Sequence, residues 1–471
     1  MAQDQEVCVV MVPFLAQGHL NQLLHLSRLI SAYKLPVHFL GGTTHIRQAK
    51  HRVHGWDPLV VSNIHFHDFP IPTFANSSPN PDHSTTRFPN QLVPSFKSAM
   101  HLREPFLKLI SDLATTTKRI VIIHDYLMSS VVQDYSNFPN SEVYLFQPCS
   151  AFTTFWFHWE ETKTLELDDE NESLRAKLPS TEGCYSDEFL ELMHSANASY
   201  KKLNNSGTLY DTSKVFEEKY LELLKNEKLK TGASKNWAVG PFNPVTITDR
   251  KNASTESIKL LNWLDEQQPN SVIYVSFGTT VSLTVEEAKE IATGLEESGV
   301  KFIWVVREAD KVDIFDGESN RKVELPEGYE ERVEKSGVGV VVRGWAPQLD
   351  ILGHPSTGGF MSHCGWNSCT EGISMGVPIA AWPMHSDQPR NALLITNVLG
   401  TAIYAREWEQ RDKKVDASMV SDVVRRLMVS EEGCAMRKKA EELGVAVRRS
   451  VEEGGIMHKE LEDFVAQITR G

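Results

Sequence analysis

The sequence predicts an α/β protein of two doubly wound parallel-sheet domains. Three observations carry this. Short β-rich apolar runs alternate with helix-period segments from the first residues onward. A stretch rich in Pro and polar residues near position 240 breaks that rhythm, which then restarts. The length, 471 residues, exceeds one ordinary core, since roughly 100–200 residues per domain is usual.

In order along the chain, residues 7–13 form an apolar run that reads as a first buried strand, cut short by Pro13. Gln17-Gly18-His19 follows as a turn. From 20 to 33, Leu20, Leu23, Leu24, Leu29 and Ile30 favour one helical face. Residues 37–40 and 120–123 read as further strands. Residues 76–95, rich in Pro, Ser and Asn, read as a long loop. Phe152, Phe155, Trp156 and Trp159 share a helical face, which fits either a core stripe or the aromatic wall of a ligand pocket. Acidic residues 166–172 read as solvated surface. The expected division is 1–245, a linker at 246–257, a second domain at 258–455 and a final helix at 456–471. In the second half, strands are expected at 271–277, 302–306, 338–342, 358–361, 379–382 and 402–404. Helices are expected at 284–297, 386–398, 417–429, 435–451 and 457–468.

Composition narrows the function. Lys and Arg number 48 against 62 Asp and Glu, a net charge of −14. That argues against a protein that coats nucleic acid or anionic membrane. Six cysteines in a chain this long are too sparse for a disulfide framework. No basic segment precedes the first apolar run, and no run reaches the ~18 apolar residues of a membrane span. A cytoplasmic protein is expected, so the sequons at Asn76, Asn197, Asn204 and Asn252 are read as chance matches.

Several ligand motifs are missing. No Gly-x-Gly-x-x-Gly follows the first strand, and no P-loop, Asp-x-Asp or His-Glu-x-x-His occurs. No metal is expected. The segment 345–388 stands out instead. It starts Trp345-Ala346-Pro347-Gln348 and passes through His363-Cys364-Gly365-Trp366-Asn367-Ser368 and Glu371 to Asp387-Gln388. A strand runs into His363, a Gly-containing turn follows, and a helix starts near Asn367, with Asn and Ser as N-cap candidates. A helix N-terminus offers N–H groups and a positive dipole end to an anion. The segment holds no Lys or Arg, so a diphosphate there would rest on backbone N–H groups, His363, Asn367 and Ser368. Glu371, one turn in, suits ribose hydroxyls.

This segment resembles the signature box of the plant UDP-dependent glycosyltransferases, and the likeness runs along almost the whole chain. It implies a GT-B fold, two Rossmann-like domains facing across a cleft, with the final helix crossing back to the first domain. By resemblance, Trp345 and Ala346 meet uracil, with Trp345 stacking on it. Gln348 and Glu371 contact ribose. His363, Asn367 and Ser368 hold the diphosphate with backbone help at Gly365 and Trp366. Asp387 and Gln388 bind the sugar, Gln388 being usual in glucose users. Thr279 and Thr280, in Ser276-Phe277-Gly278-Thr279-Thr280, touch phosphate or sugar. His19 matches the catalytic base and Asp125 the aspartate that orients it. Imidazole has the right pKa to deprotonate a hydroxyl acceptor. His124 points away if its strand alternates. Where relatives have Thr or Ser near Pro148, Ser150 is the expected substitute. Gln17, Ser150, Phe152, Trp156 and His385 are the expected acceptor contacts.

The runs 16–24, 240–244 and 383–391 most resemble the zeatin O-glucosyltransferase branch. The resemblance implies an inverting, metal-independent transferase using UDP-glucose as co-substrate and a small, largely apolar acceptor, with the cytokinin zeatin first. Flavonoid, isoflavonoid or other phenolic glucosylation, at oxygen or carbon, is the second reading. A non-catalytic UDP-sugar-binding protein is the third, and it should lack the His–Asp pair. No nucleic acid or membrane partner is expected.

Overall fold

The computed structural model describes residues 5–53, 56–72, 87–226, 235–245, 254–307, 309 and 323–470. Most of the expected linker, the sequons at Asn76 and Asn252, and much of the expected loop at 76–95 lie outside those residues.

The first sheet is built from β1 (Gln5–Val12), β2 (Val37–Gly42), β3 (Ile64–Phe69), β4 (Thr117–Asp125), β5 (Ser141–Gln147), β6 (Asn205–Tyr210) and β7 (Asn236–Ala238). Their spatial order is β3-β2-β1-β4-β5-β6-β7, and every pairing is parallel. The second sheet comprises β8 (Val272–Ser276), β9 (Lys301–Val305), β10 (Gly339–Val342), β11 (Thr357–Ser362), β12 (Ile379–Ala381) and β13 (Ala402–Tyr404). It is also all parallel, in the order β10-β9-β8-β11-β12-β13. In both sheets the order reverses beside the first strand, and crevices for ligands open at such switch points. Helices cover both faces, so central strands such as Cys8–Val12 have no exposed surface, which explains their unbroken apolar runs.

The boundaries differ from expectation mainly at the first helix. Gln17-Gly18-His19 is no separate turn but the first turn of the helix Gln17–Ser31. Leu20, Leu23 and Leu24, buried against the sheet, hold that turn in register. The expected helix at 386–398 is a short helix, Gln388–Leu393, that widens into a π-type segment over Leu394–Val398.

The final helix, Ile456–Thr469, lies on the first sheet. Leu461, Phe464 and Ile468 enter the core of β1, β2 and β4. Trp237 Nε1 donates to Asp463 (2.7 Å), and Lys214 pairs with Glu460 (2.5 Å). Among the described residues no helix is long and apolar enough to cross a membrane.

Candidate active site

Between the two sheets lies a cavity of about 370 Å³, lined from both sides. On the first side, β1 leads into Phe14 and Leu15, and the following helix carries His19 into the cavity in its first turn. Asp125, the last residue of β4, stands behind it, fully buried. His19 Nδ1 and Asp125 Oδ2 are 2.7 Å apart, and Asp125 Oδ1 accepts from Leu127 N (2.9 Å). With Nδ1 engaged as donor, Nε2 is left with its lone pair. Burial works against a charged imidazole here. The charge and hydrogen bond of Asp125, with the charge of Asp387, outweigh it and raise the His19 pKa above 6.5. His124 is fully buried and bonds through Nδ1 to the Asp125 carbonyl (2.8 Å), outside the cavity lining.

The second side is a strand–turn–helix. β11 runs into His363, and Cys364 takes a left-handed conformation (φ 63°). The helix Trp366–Met375 then starts with Gly365 as its N-cap. The expected Asn or Ser cap does not form. Asn367 instead turns its Nδ2 across the cleft to Gly18 O (3.2 Å), and Ser368 Oγ accepts from Gln348 Nε2 (3.2 Å). The helix N-terminus therefore lines the cavity with no side-chain cap, and such an end presents N–H groups and a positive dipole end that suit an anion. Two glycines wall the His363 ring. A Cβ added at Gly278 or at Gly365 would fall 2.6 Å from His363 Nε2. Burial pushes His363 down to about 4, so at pH 7 it offers an N–H donor rather than a charge.

The remaining donor-side residues gather in the same cavity. Trp345 is 65% exposed, with the Arg307 guanidinium over its ring (5.5 Å to the centroid), and Ala346 follows it into the wall. Gln348 donates to Glu371 Oε2 (2.5 Å) and accepts from Tyr274 OH (3.3 Å). Burial raises the Glu371 carboxyl to about 7. Thr279 lines the cavity, and Thr280 Oγ1 meets His385 Nε2 (3.0 Å). Gln388 Oε1 accepts from the backbone of Met384 (2.9 Å) and His385 (3.0 Å). Asp387 accepts from Asn391 Nδ2 (2.9 Å), and burial raises its pKa.

The expected acceptor contacts divide. Gln17 and His385 line the cavity, Gln17 bonding to Gln48 and His385 lying 5.9 Å edge-on from Phe88. Phe152 and Trp156 do not reach it. Both are wholly buried against Tyr220 and Phe155, because their helical face turns to the core. Ser150 is also buried. It caps the helix Ala151–Thr162 by accepting from Thr153 N (3.0 Å) and donates to Asn391 Oδ1 (3.2 Å).

Two parts of the site escaped sequence reasoning. One is Asn391, which joins Asp387, the Cys364 carbonyl (3.1 Å), Ser150 and Thr153 (3.1 Å) across the two domains. Its position four residues after Asp387 was the available signal. The other is an aromatic wall of Phe14, Phe88, Phe96 and Phe189, drawn from distant segments with no shared spacing.

Two parallel-sheet domains closing on one cleft, with a His–Asp pair on one side and a helix N-terminus on the other, form a GT-B glycosyltransferase. A model described as "Glycosyltransferase, N-terminal domain" matches residues 5–244, and one described as "UDP-glucoronosyl and UDP-glucosyl transferase" matches residues 242–419. The chain is 50% identical to a zeatin O-glucosyltransferase of Phaseolus lunatus, over 99% of this chain and 98% of that one. It is 49% identical to a zeatin O-xylosyltransferase of Phaseolus vulgaris, over 99% of each. The crystal structure of a UGT transferase from Siraitia grosvenorii in complex with UDP is similar with TM-score 0.76 at 26% identity, covering 99% of this chain and 100% of that one. The chain belongs to the UDP-glucosyl transferase family.

Proposed function

We propose that this chain transfers glucose from UDP-glucose to the side-chain hydroxyl of zeatin, inverting the anomeric carbon. The observation that carries the reading is the 50% identity to a zeatin O-glucosyltransferase along 99% of the chain. The cleft geometry supports it. His19 Nε2 takes the acceptor's hydroxyl proton, with Asp125 stabilising the imidazolium through Nδ1. The acceptor oxygen forms its bond to the anomeric carbon as the carbon–oxygen bond to the diphosphate breaks. UDP leaves with that electron pair, and its charge rests on the N–H groups at the start of Trp366–Met375 and on the His363 donor. One displacement turns the α-linked donor into a β-glucoside.

In this reading residues 1–245 bind the acceptor and 258–455 the donor, joined by 246–257, and the helix at 456–471 ties the two together. Trp345 and Ala346 meet the uracil, Gln348 and Glu371 the ribose, Thr279 or Thr280 the phosphate or sugar, and Asp387 and Gln388 the sugar. No metal is required, because oriented backbone dipoles hold the diphosphate. The six cysteines, all free thiols, suit the reducing cytoplasm.

The test is incubation of the purified chain with UDP-glucose or UDP-xylose and either zeatin or a flavonoid panel, read by mass spectrometry. Zeatin gains a hexose from UDP-glucose, and EDTA leaves the rate unchanged. Untouched zeatin beside glucosylated flavonoids would overturn the acceptor. Preference for UDP-xylose would overturn the donor, and loss of activity in EDTA restored by Mn²⁺ would overturn the metal-free site.

A further inference from the structure

The segment 386–391 belongs to the second domain, yet the first domain holds it in place. Ser386 N donates to Cys184 O (2.8 Å), and the Arg390 guanidinium lies over Phe157 (4.1 Å to the ring centroid) and pairs with Glu160. Asn391 makes the fullest contact. Its side chain is wholly buried. Nδ2 donates to Asp387 Oδ2 (2.9 Å) and to the Cys364 carbonyl (3.1 Å), and Oδ1 accepts from Ser150 Oγ (3.2 Å) and Thr153 Oγ1 (3.1 Å). A side-chain amide has two donors and two acceptor sites, so all four are used. The amide cannot be turned round, because the Cys364 carbonyl only accepts.

Asp387 occupies the N-cap position of the helix Gln388–Leu393, where an aspartate usually bonds the helix's own first N–H groups. Here it makes no such bond. Asn391, one turn on, takes one carboxylate oxygen instead, and Asp387 stays in the cavity wall. A carboxyl group fixed at one oxygen keeps the lone pairs of the other in set directions, which is what reading the positions of sugar hydroxyls requires. The other half of the same amide is held by the first domain. Ser150 caps the helix Ala151–Thr162, and Thr153 lies in its first turn. That helix start is fixed in turn by Glu217, whose carboxylate accepts from Ala151 N (3.0 Å) and Phe152 N (2.8 Å).

We propose that Asn391 is a positioning residue that orients the Asp387 carboxylate for the donor sugar, and that Ser150 and Thr153 of the first domain act on sugar recognition through it. The proposal rests on the reading above that Asp387 meets the sugar. It adds three residues, none of which lines the cavity, that govern the contact.

The experiment measures affinity for UDP-glucose and for UDP by calorimetry on wild type, Asn391→Asp, Thr153→Val and Asp387→Ala. No acceptor is present, so the outcome does not depend on zeatin. Asn391→Asp keeps the shape of the side chain and sets a second carboxyl against Asp387 in place of the donor. Thr153→Val keeps its shape and removes one hydroxyl from Oδ1. Relative to UDP, UDP-glucose binds about tenfold weaker or more in Asn391→Asp, where a bond to a charged group is lost, and about threefold weaker in Thr153→Val. An unchanged ratio of the two affinities in Asn391→Asp, whether both ligands are kept or both are lost together, would overturn the positioning role. An unchanged ratio in Thr153→Val would overturn the first domain's part in it. Asp387→Ala separates these failures from failure of the reading beneath them. If it lowers the ratio while the other two variants do not, Asp387 meets the sugar and Asn391 does not position it. If it too leaves the ratio alone, the sugar assignment falls and the proposal falls with it.

Discussion

Burial alone would push the His19 imidazole toward its neutral form. Asp125 at 2.7 Å and the charge of Asp387 reverse that, so its folded pKa lies above 6.5. The sign fixes the pH dependence of catalysis. In the proposed mechanism His19 works only when deprotonated, so kcat/KM for the acceptor at saturating UDP-glucose falls as pH drops through that raised value. Asp125→Asn removes the raising charge and leaves burial less opposed. The acid limb then moves to lower pH, while the plateau falls about 10²–10⁴-fold because the imidazolium loses its partner. An unmoved limb in that variant would assign the titration to another group. The pairing of His19 with Asp125 was legible through the family resemblance, which marked both positions, and the fold brings them to 2.7 Å. The aromatic wall was not legible, because Phe14, Phe88, Phe96 and Phe189 meet only through the fold.

At the scale of elements, the proposed donor site is a strand, a left-handed Cys364, and a helix with no side-chain cap. The loop after β8 closes over it with Gly278 at φ 76°, its missing Cβ leaving room for the His363 ring. Gly278→Ala forces a 2.6 Å contact with His363 Nε2 as well as a strained φ. UDP affinity in that variant falls by about tenfold or more, measured by calorimetry. Gly299→Ala is the control. It carries a similar strained φ of 67° with nothing within 4 Å, so it lowers the melting temperature and leaves UDP affinity unchanged. Equal UDP affinity in all three proteins would detach the glycine from the site. The strand–turn–helix could be read in advance because its signals are local. The face of the helix Ala151–Thr162 could not. Spacing puts Phe152 and Trp156 on one side, but only the neighbouring Tyr220 shows that this side is core. The cap at Asn367 was misread for a similar reason, since its partner is Gly18, a residue of the other domain.

At the scale of the molecule, the two sheets are locked together around the cleft. Asn391 reaches from the second domain to Ser150 and Thr153 of the first, Trp366 Nε1 donates to Asp211 O (2.8 Å), and Arg87 pairs with Glu287. The helix Ile456–Thr469 returns to the first sheet, with Phe464 against Tyr144 and Trp237. The net charge of −14 is compatible with an anionic donor in this arrangement, because the diphosphate would face helix N–H groups rather than a basic surface. In the proposed mechanism labour divides across the cleft, with the base on one domain and the donor site on the other. The most direct test is His19→Ala, with UDP affinity and glucosyl transfer measured on the same preparation. UDP binds as in wild type while kcat falls about 10²–10⁴-fold. Near-normal transfer, or UDP binding lost together with transfer, would contradict it.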